Sequence, residues 1–343
     1  MRKTSSKLKF IPITILTILF SLGVSISTTQ ADEDPFQGGD GSVDDPYEIS
    51  TCQQLQSINN TEYLDKNFVL INDIYCGEKD KDNNDNGLNN TKDWDSGKGF
   101  IPIGGESTYF TGDFNGRDYQ IFDLYINRPD EDCIGLFGYT VGSSISNIGL
   151  ENVDITGRSH VGGLVGINEN GTISNSYSTG DVSGGGTFVG GLAGQSIGDI
   201  SNSHSTCDVF GNRFVGGLTG LSNGNISESY SEGYVSGSDD YVGGLVGVSN
   251  GNISDSYSIG DISGRSQYYF VGGLVGMNES GNISDSYSIG DVLGKSFHVG
   301  GFIGFNGGGT ISDSYSIGNI LGTGNYVGGF IGYNSSGHIS NSY

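Results

Sequence analysis

The chain has 343 residues, 61 of them glycine, and carries 39 acidic against 15 basic side chains, a formal charge of −24. Such a polyanion repels phosphate backbones and acidic lipid surfaces, which excludes nucleic acid as a partner and argues against electrostatic membrane docking. Calcium and cationic partners stay compatible with it.

Residues 1–31 read as a signal peptide. Arg2, Lys3, Lys7 and Lys9 form a basic start, IPITILTILFSLGVSI forms the apolar run, and Thr29 and Ala31 occupy the −3 and −1 positions of a cleavage site. The alternative is an uncleaved anchor. With cleavage after Ala31 the mature chain begins at Asp32 and is exported, which places it in the secreted or cell-surface class. No later stretch reaches the roughly 20 apolar residues of a spanning helix, so no membrane-spanning segment is expected after the leader.

Residues 32–132 read as an N-terminal cap followed by irregular first turns. DDPYEIS has the pattern of a strand, and TCQQLQSI that of a short helix with Thr51 and Gln54 at capping-box spacing. NFVLINDIYC is strand-like again, and FIPIG, FTGDFNG and IFDLYI look like early turns. An element of this kind covers the sticky end of a stacked sheet. Of the four cysteines, Cys133 and Cys207 are scattered, whereas Cys52 and Cys76 both flank the cap. Export permits a Cys52–Cys76 disulfide, with small buried thiols as the alternative. Between these elements lies DNNDNGLNNTKD, where Asp82, Asn84, Asn86 and Gly87 match positions 1, 3, 5 and 6 of a calcium loop and Asp93 falls at position 12. Alternating oxygen donors on a glycine-turned loop suit a hard cation, so calcium is the candidate cofactor. Two departures count against it: Asp93 is shorter than the usual glutamate, and no helices flank the loop.

Residues 133–343 repeat. The phrase VGG[LF]xG starts at Val161, Val189, Val215, Val242, Val271, Val299 and Val327, with a degenerate copy, IGLFG, at Ile134. A period near 27 residues, rich in glycine, serine and asparagine and without a 3.6-residue apolar stripe, excludes helix. Each unit supplies short strands separated by turns and buries a face only by stacking on its neighbours. The expected fold class is all-β, a parallel β-solenoid of about 27-residue turns, with equivalent residues in columns about 4.8 Å apart. Valine fills the Val161 column, Leu164 heads a leucine/phenylalanine column, and Ile173 heads an isoleucine column. The Gly-Gly between the first two reads as a tight corner, attributed to glycine's freedom in φ.

Ser176 and Ser178 align with Ile148 and Leu150 of the first turn, so the serine columns are expected to face inward. The column between them then faces out: Tyr177, His204, Tyr230, Tyr257, Tyr287, Tyr315 and Tyr343. Its tyrosines, Tyr177, Tyr230, Tyr257, Tyr287 and Tyr315, are the candidate ligand-binding residues, since tyrosine offers a stacking face and a hydroxyl to a sugar or protein. The plainer alternative is that the rings only cover the sheet. A second stripe, Val165/Ile167, Val246/Val248, Val275/Met277, Ile303/Phe305 and Ile331/Tyr333, alternates out of phase with the leucines. Strict period-2 geometry leaves one set exposed as a contact surface, unless a local bulge turns both inward. Asp255, Asp285 and Asp313 form one acidic column and Asp261 and Asp291 another, read as solvated corners rather than a cation ladder. The repeat stops mid-unit at Tyr343, which reads as a fragment of a longer protein or as a frayed end.

The phrase VGGLVGxNxxGxISxSYSxGxVxG resembles the GLUG-motif repeat over roughly residues 134 to 343. That resemblance implies a secreted or surface-displayed, adhesin-like β-solenoid, a type that occurs with and without catalytic domains. The residues themselves give an enzyme little support. His160, His204, His298 and His338 lie in no HExxH pattern, and no GxSxG elbow occurs. A polysaccharide lyase or hydrolase on a β-helix is the enzymatic alternative, to which thinly spread Lys and Arg give little support, and the noncatalytic repeat part of a larger surface peptidase is another. Ice binding lacks its regular threonine face. The expected function is therefore noncatalytic adhesion or interaction with a surface glycan or protein.

Overall fold

The computed structural model describes residues 35–77, 90–265, 270–295 and 297–343. Residues Phe36–Tyr343 pack as one unit, an all-β parallel β-solenoid whose strands fall into four sheets of 11, 14, 6 and 8 strands. One turn shows how the sequence makes it. Phe270–Gly272 lies in the six-stranded sheet, Val275–Asn278 in the eight-stranded sheet, and Ile283–Ser284 in the eleven-stranded sheet. Tyr287–Ile289 and Val292–Gly294 then lie in the fourteen-stranded sheet, and His298–Gly300 re-enters the first of these one turn later. Pairing is parallel and in register along the columns: Ile253 with Ile283, Tyr257 with Tyr287, Val271 with Val299.

The core is the set of apolar columns. Val161, Val189, Val215, Val242, Val271 and Val299 have no exposure, nor do Leu164, Leu192, Leu218, Leu245, Leu274 and Phe302. The serine columns point inward, and their hydroxyls complete the backbone pairing between turns. The Ser229 N–H donates to Ser256 Oγ at 3.2 Å, and the Ser256 hydroxyl donates to Ser254 O at 2.6 Å. A buried asparagine column does the same on another side, Asn278 Nδ2 donating to Asn306 Oδ1 at 2.8 Å. These polar interiors are tolerated because the serine hydroxyls and the amide N–H groups are bonded within the stack.

The Gly-Gly corner has a different cause from the expected one. Neither glycine of the pair at 243–244 or 272–273 has a positive φ. The requirement is space: a Cβ on Gly244 would sit 2.1 Å from Gly273 O and 2.2 Å from Ser258 Oγ. Ser178, Ser288 and Ser316 donate to the carbonyls of Gly191, Gly301 and Gly329, binding the corner to the fourteen-stranded sheet.

The out-of-phase stripe resolves turn by turn: Val165/Ile167 and Val246/Val248 are both turned inward, whereas Met277 and Phe305 are half-buried. Leu274 sits in the corner before its strand begins, so Leu274 and the adjacent Val275 both turn inward with no exposure. Alternation then breaks at Gly276, where a Cβ would meet Gly247 O at 2.6 Å and Val242 N at 2.8 Å. Backbone lies against backbone there, so Val275 and Asn278 are buried while Met277 is half-buried on the outside.

At the N-terminal end the eleven-stranded sheet starts with Tyr47–Ile49 and Phe68–Leu70. Helix α1 (Cys52–Ser57) follows the first of these, with Thr51 Oγ1 accepting from Gln54 N at 3.2 Å. Gln54 Oε1 accepts in return from Ser50 N at 2.7 Å, one residue before the cap, so the capping box is offset. Leu55 and Ile58 are fully buried. Phe36 packs on Tyr47, Tyr63 and Phe68 with ring centroids 4.6, 4.9 and 5.3 Å away. Cys52 and Cys76 are joined in a disulfide with Cα atoms 5.5 Å apart. Cys133 and Cys207 are free and buried, and burial pushes their thiols up to about 12 and about 11.

Candidate interaction surface

The outer face of the fourteen-stranded sheet carries the tyrosine column. Tyr177, His204, Tyr230, Tyr257, Tyr287 and Tyr315 follow one another with centroids 4.9, 4.5, 4.7, 4.7 and 5.1 Å apart. Interplanar angles of 2° to 6° make them a face-to-face pile. The rings thus support one another through neighbour contacts. Each inner ring spends both faces on its neighbours, so the column offers a partner only ring edges and hydroxyls. Tyr177 closes one end, its hydroxyl donating to Glu151 Oε1 at 2.9 Å and accepting from Gln120 Nε2 at 2.7 Å.

Burial raises the phenols of Tyr177, Tyr230 and Tyr287 above their ordinary range and lifts Tyr257 to about 12, with Tyr230 and Glu232 adding to the effect at Tyr257. A phenol raised by folding is held in its neutral form, so the unfolded chain loses the proton first. Stability is therefore expected to fall as pH rises above the ordinary 10.0 towards about 12. Denaturant midpoints measured across that window check this. Tyr257→Phe is expected to flatten the fall, and an unchanged slope in the variant contradicts it.

A second aromatic column runs beside the invariant valines and went unread in the sequence. His160, Phe188, Phe214, Tyr241, Phe270, His298 and Tyr326 lie 4.9, 4.7, 5.0, 5.3, 4.8 and 4.8 Å apart. Its signal was present: an aromatic or histidine precedes the valine in all seven full copies. Phe270, His298 and Tyr326 pack on Phe305 and Tyr333 of the Met277 column, Phe270 stacking on Phe305 at 4.7 Å. Burial lowers the basicity of His160, His204 and His298, and all three are ladder members.

The acidic columns have structural work. Asp255, Asp285 and Asp313 each hold φ 50°, the left-handed corner between two sheets that short polar side chains tolerate. Asp261 Oδ1 accepts the backbone N–H of Asp291, and Asp291 Oδ1 that of Asn319, both at 2.9 Å. Of the calcium-loop residues, Asp82, Asn84 and Asn86 lie outside the described residues. Asp93 sits in the 3-10 segment Thr91–Gly97, where its Oδ2 accepts from Asn90 Nδ2 at 2.9 Å. Among the described residues no three His, Cys, Asp or Glu side chains are grouped to hold a metal ion.

Beyond the tyrosines the same face hollows into a groove of about 480 Å³, lined by Tyr234, Asp261, Asp291, Asn319, Leu293 and Leu321 among others. Leu293 is 44% exposed and Leu321 64%. They are neighbours in register; Asp291 lies two residues before Leu293 and Asn319 two before Leu321, while Asp261 belongs to the preceding turn, two residues before Ser263. Among the described residues no helix is long and apolar enough to cross a membrane.

The family described as the GLUG motif matches residues 157–183, 239–263 and 296–321. Halomucin of Haloquadratum walsbyi is 37% identical over 182 residues, 51% of this chain but 2% of that protein. A protein of Evansella cellulosilytica named as a Gly-rich membrane protein is 36% identical over 194 residues, 55% of this chain and 18% of its own length. The chain thus spans a small part of either relative. A Bacteroides ovatus crystal structure, described as an immunoglobulin A1 protease, superposes with a TM-score of 0.57 at 22% identity. The match covers 76% of this chain and 80% of that one, and the likeness is one of fold. Three stretches of the chain match the GLUG motif, and the chain that carries them folds as a parallel β-solenoid.

Proposed function

We propose that this chain is a noncatalytic, exported repeat module that presents a long, regular surface for adhesion to a surface glycan or protein. The observation that carries the reading is the arrangement of its polar and aromatic side chains in axial columns. The tyrosine and serine columns repeat one chemistry from turn to turn, as in the pile from Tyr177 to Tyr315, whereas catalysis needs unlike groups converging on one point. Two relatives with names from the mucin-like and membrane classes point the same way. The ring faces being spent, a glycan partner meets hydroxyls and carboxylates rather than aromatic platforms.

The test is binding by the full exported chain to glycan arrays and to extracellular protein fractions. Saturable binding in either is the expected result, and blank results in both overturn the reading. Release of unsaturated or reducing sugar ends from a polysaccharide would replace it with the lyase or hydrolase alternative.

A further inference from the structure

We propose that the groove over Asp261, Asp291, Leu293 and Leu321 docks an extended polypeptide segment in which lysine or arginine alternates with apolar side chains. This rests on the reading of the chain as an interaction module and names the partner's chemistry. Two features of the groove favour a partner. Leu293, with a further rung stacked beyond it, still stands 44% exposed where the same column holds Ser236 and Ser263 in earlier turns, and Leu321 pairs with it in register. Their burial by a partner releases apolar surface from water. Beside them, the Asp261 and Asp291 carboxylates stack one turn apart, and like charges at about 4.8 Å repel by roughly 1 kcal/mol even in water-like surroundings. A cation laid between them relieves that repulsion.

The carboxylates are also fixed in place. Each is held by one oxygen on the backbone of the next turn, so little side-chain freedom is lost on binding. Charge complementarity selects a cationic occupant for a chain with 39 acidic and 15 basic residues. The exposed leucines require that it also carry apolar side chains. The closed faces of the neighbouring tyrosines withhold the platform a sugar ring would use. A polypeptide with basic and apolar side chains meets all three conditions.

The test uses the full exported chain and a labelled synthetic peptide alternating Lys and Leu, read by fluorescence anisotropy. Ser–Leu and Lys–Ser peptides and chitosan oligomers serve as comparisons. Asp261→Asn/Asp291→Asn removes the groove charges while keeping an Oδ1 acceptor for the N–H of the next turn. Asp255→Asn/Asp285→Asn removes the same charge from the left-handed corners. The groove pair, and separately Leu293→Ser/Leu321→Ser, are expected to weaken Lys–Leu binding about tenfold, and the corner pair by less than about twofold. Equal losses from groove and corner pairs overturn the proposal in favour of diffuse charge attraction. Lys–Ser or chitosan binding as tight as Lys–Leu overturns the polypeptide assignment, and absence of binding overturns the site. Capture of a native partner that survives all three double variants removes this site and leaves the interaction reading standing.

Discussion

Gly244→Ala is expected to split the melting of the solenoid into two transitions and to cost about 3 kcal/mol or more. The added Cβ would lie 2.1 Å from Gly273 O and 2.2 Å from Ser258 Oγ. A long side chain could swing away; a carbonyl oxygen one turn on cannot, because its own chain is fixed by the next turn. The N–H of Gly244 also donates to Gly272 O at 3.2 Å, so moving the corner to make room breaks a turn-to-turn bond. In a stacked array stability is a sum over neighbouring turns. Damage at one interface therefore uncouples the turns on either side rather than weakening the whole chain evenly. Gly185→Ala is the control: nothing lies within 4 Å of its Cβ position and its φ is not positive. It is expected to stay within about 0.5 kcal/mol of the parent. Calorimetric scans of both variants decide the matter, and a single transition at the parent temperature for Gly244→Ala would refute the steric account.

The same corner shows what the sequence made legible. A repeat aligns the chain with itself, so invariance at Val271, Leu274 and Ile283 reads as burial without any external comparison, and all three are fully buried. Ser286 and Ser288 could be placed inside because the first turn carries Ile148 and Leu150 at their positions. What escaped depends on contacts between sheets rather than along a strand. Period 2 assumes a continuous strand, but a corner at Leu274 and a backbone contact at Gly276 interrupt it. That is why two adjacent residues both turn inward and Met277 does not follow Val275. The aromatic column at Phe270 and His298 was hidden by its mixed composition, in which histidine, phenylalanine and tyrosine alternate. The role of Asp291 was hidden because its partner, the N–H of Asn319, is 28 residues away. Column reading identifies which residues are equivalent; it does not tell which neighbouring turn's backbone an equivalent side chain will satisfy.

Replacing Cys52 and Cys76 by serine is expected to cost about 3 kcal/mol, the loop-closure entropy of a cross-link with a separation of 24 residues. The loss should be local at first. The bridge fastens the start of α1 to the residue after the Ile74–Tyr75 strand, the first strand of the fourteen-stranded sheet. Without it, Leu55 and Ile58 lose the tether that keeps them over the first turn, and the array loses protection at an end where an open sheet edge is exposed. Limited proteolysis should cut first within residues 50–77, before any cleavage in the regular turns. A reducing agent added to the parent should reproduce the double variant. Cys133 and Cys207 supply an internal check, since thiols buried and pushed up to about 12 and about 11 react only when the array opens. The parent should therefore show no reactive thiol when folded and two when denatured without reductant. Four thiols in that second measurement would remove the bridge, and with it the expected stability difference.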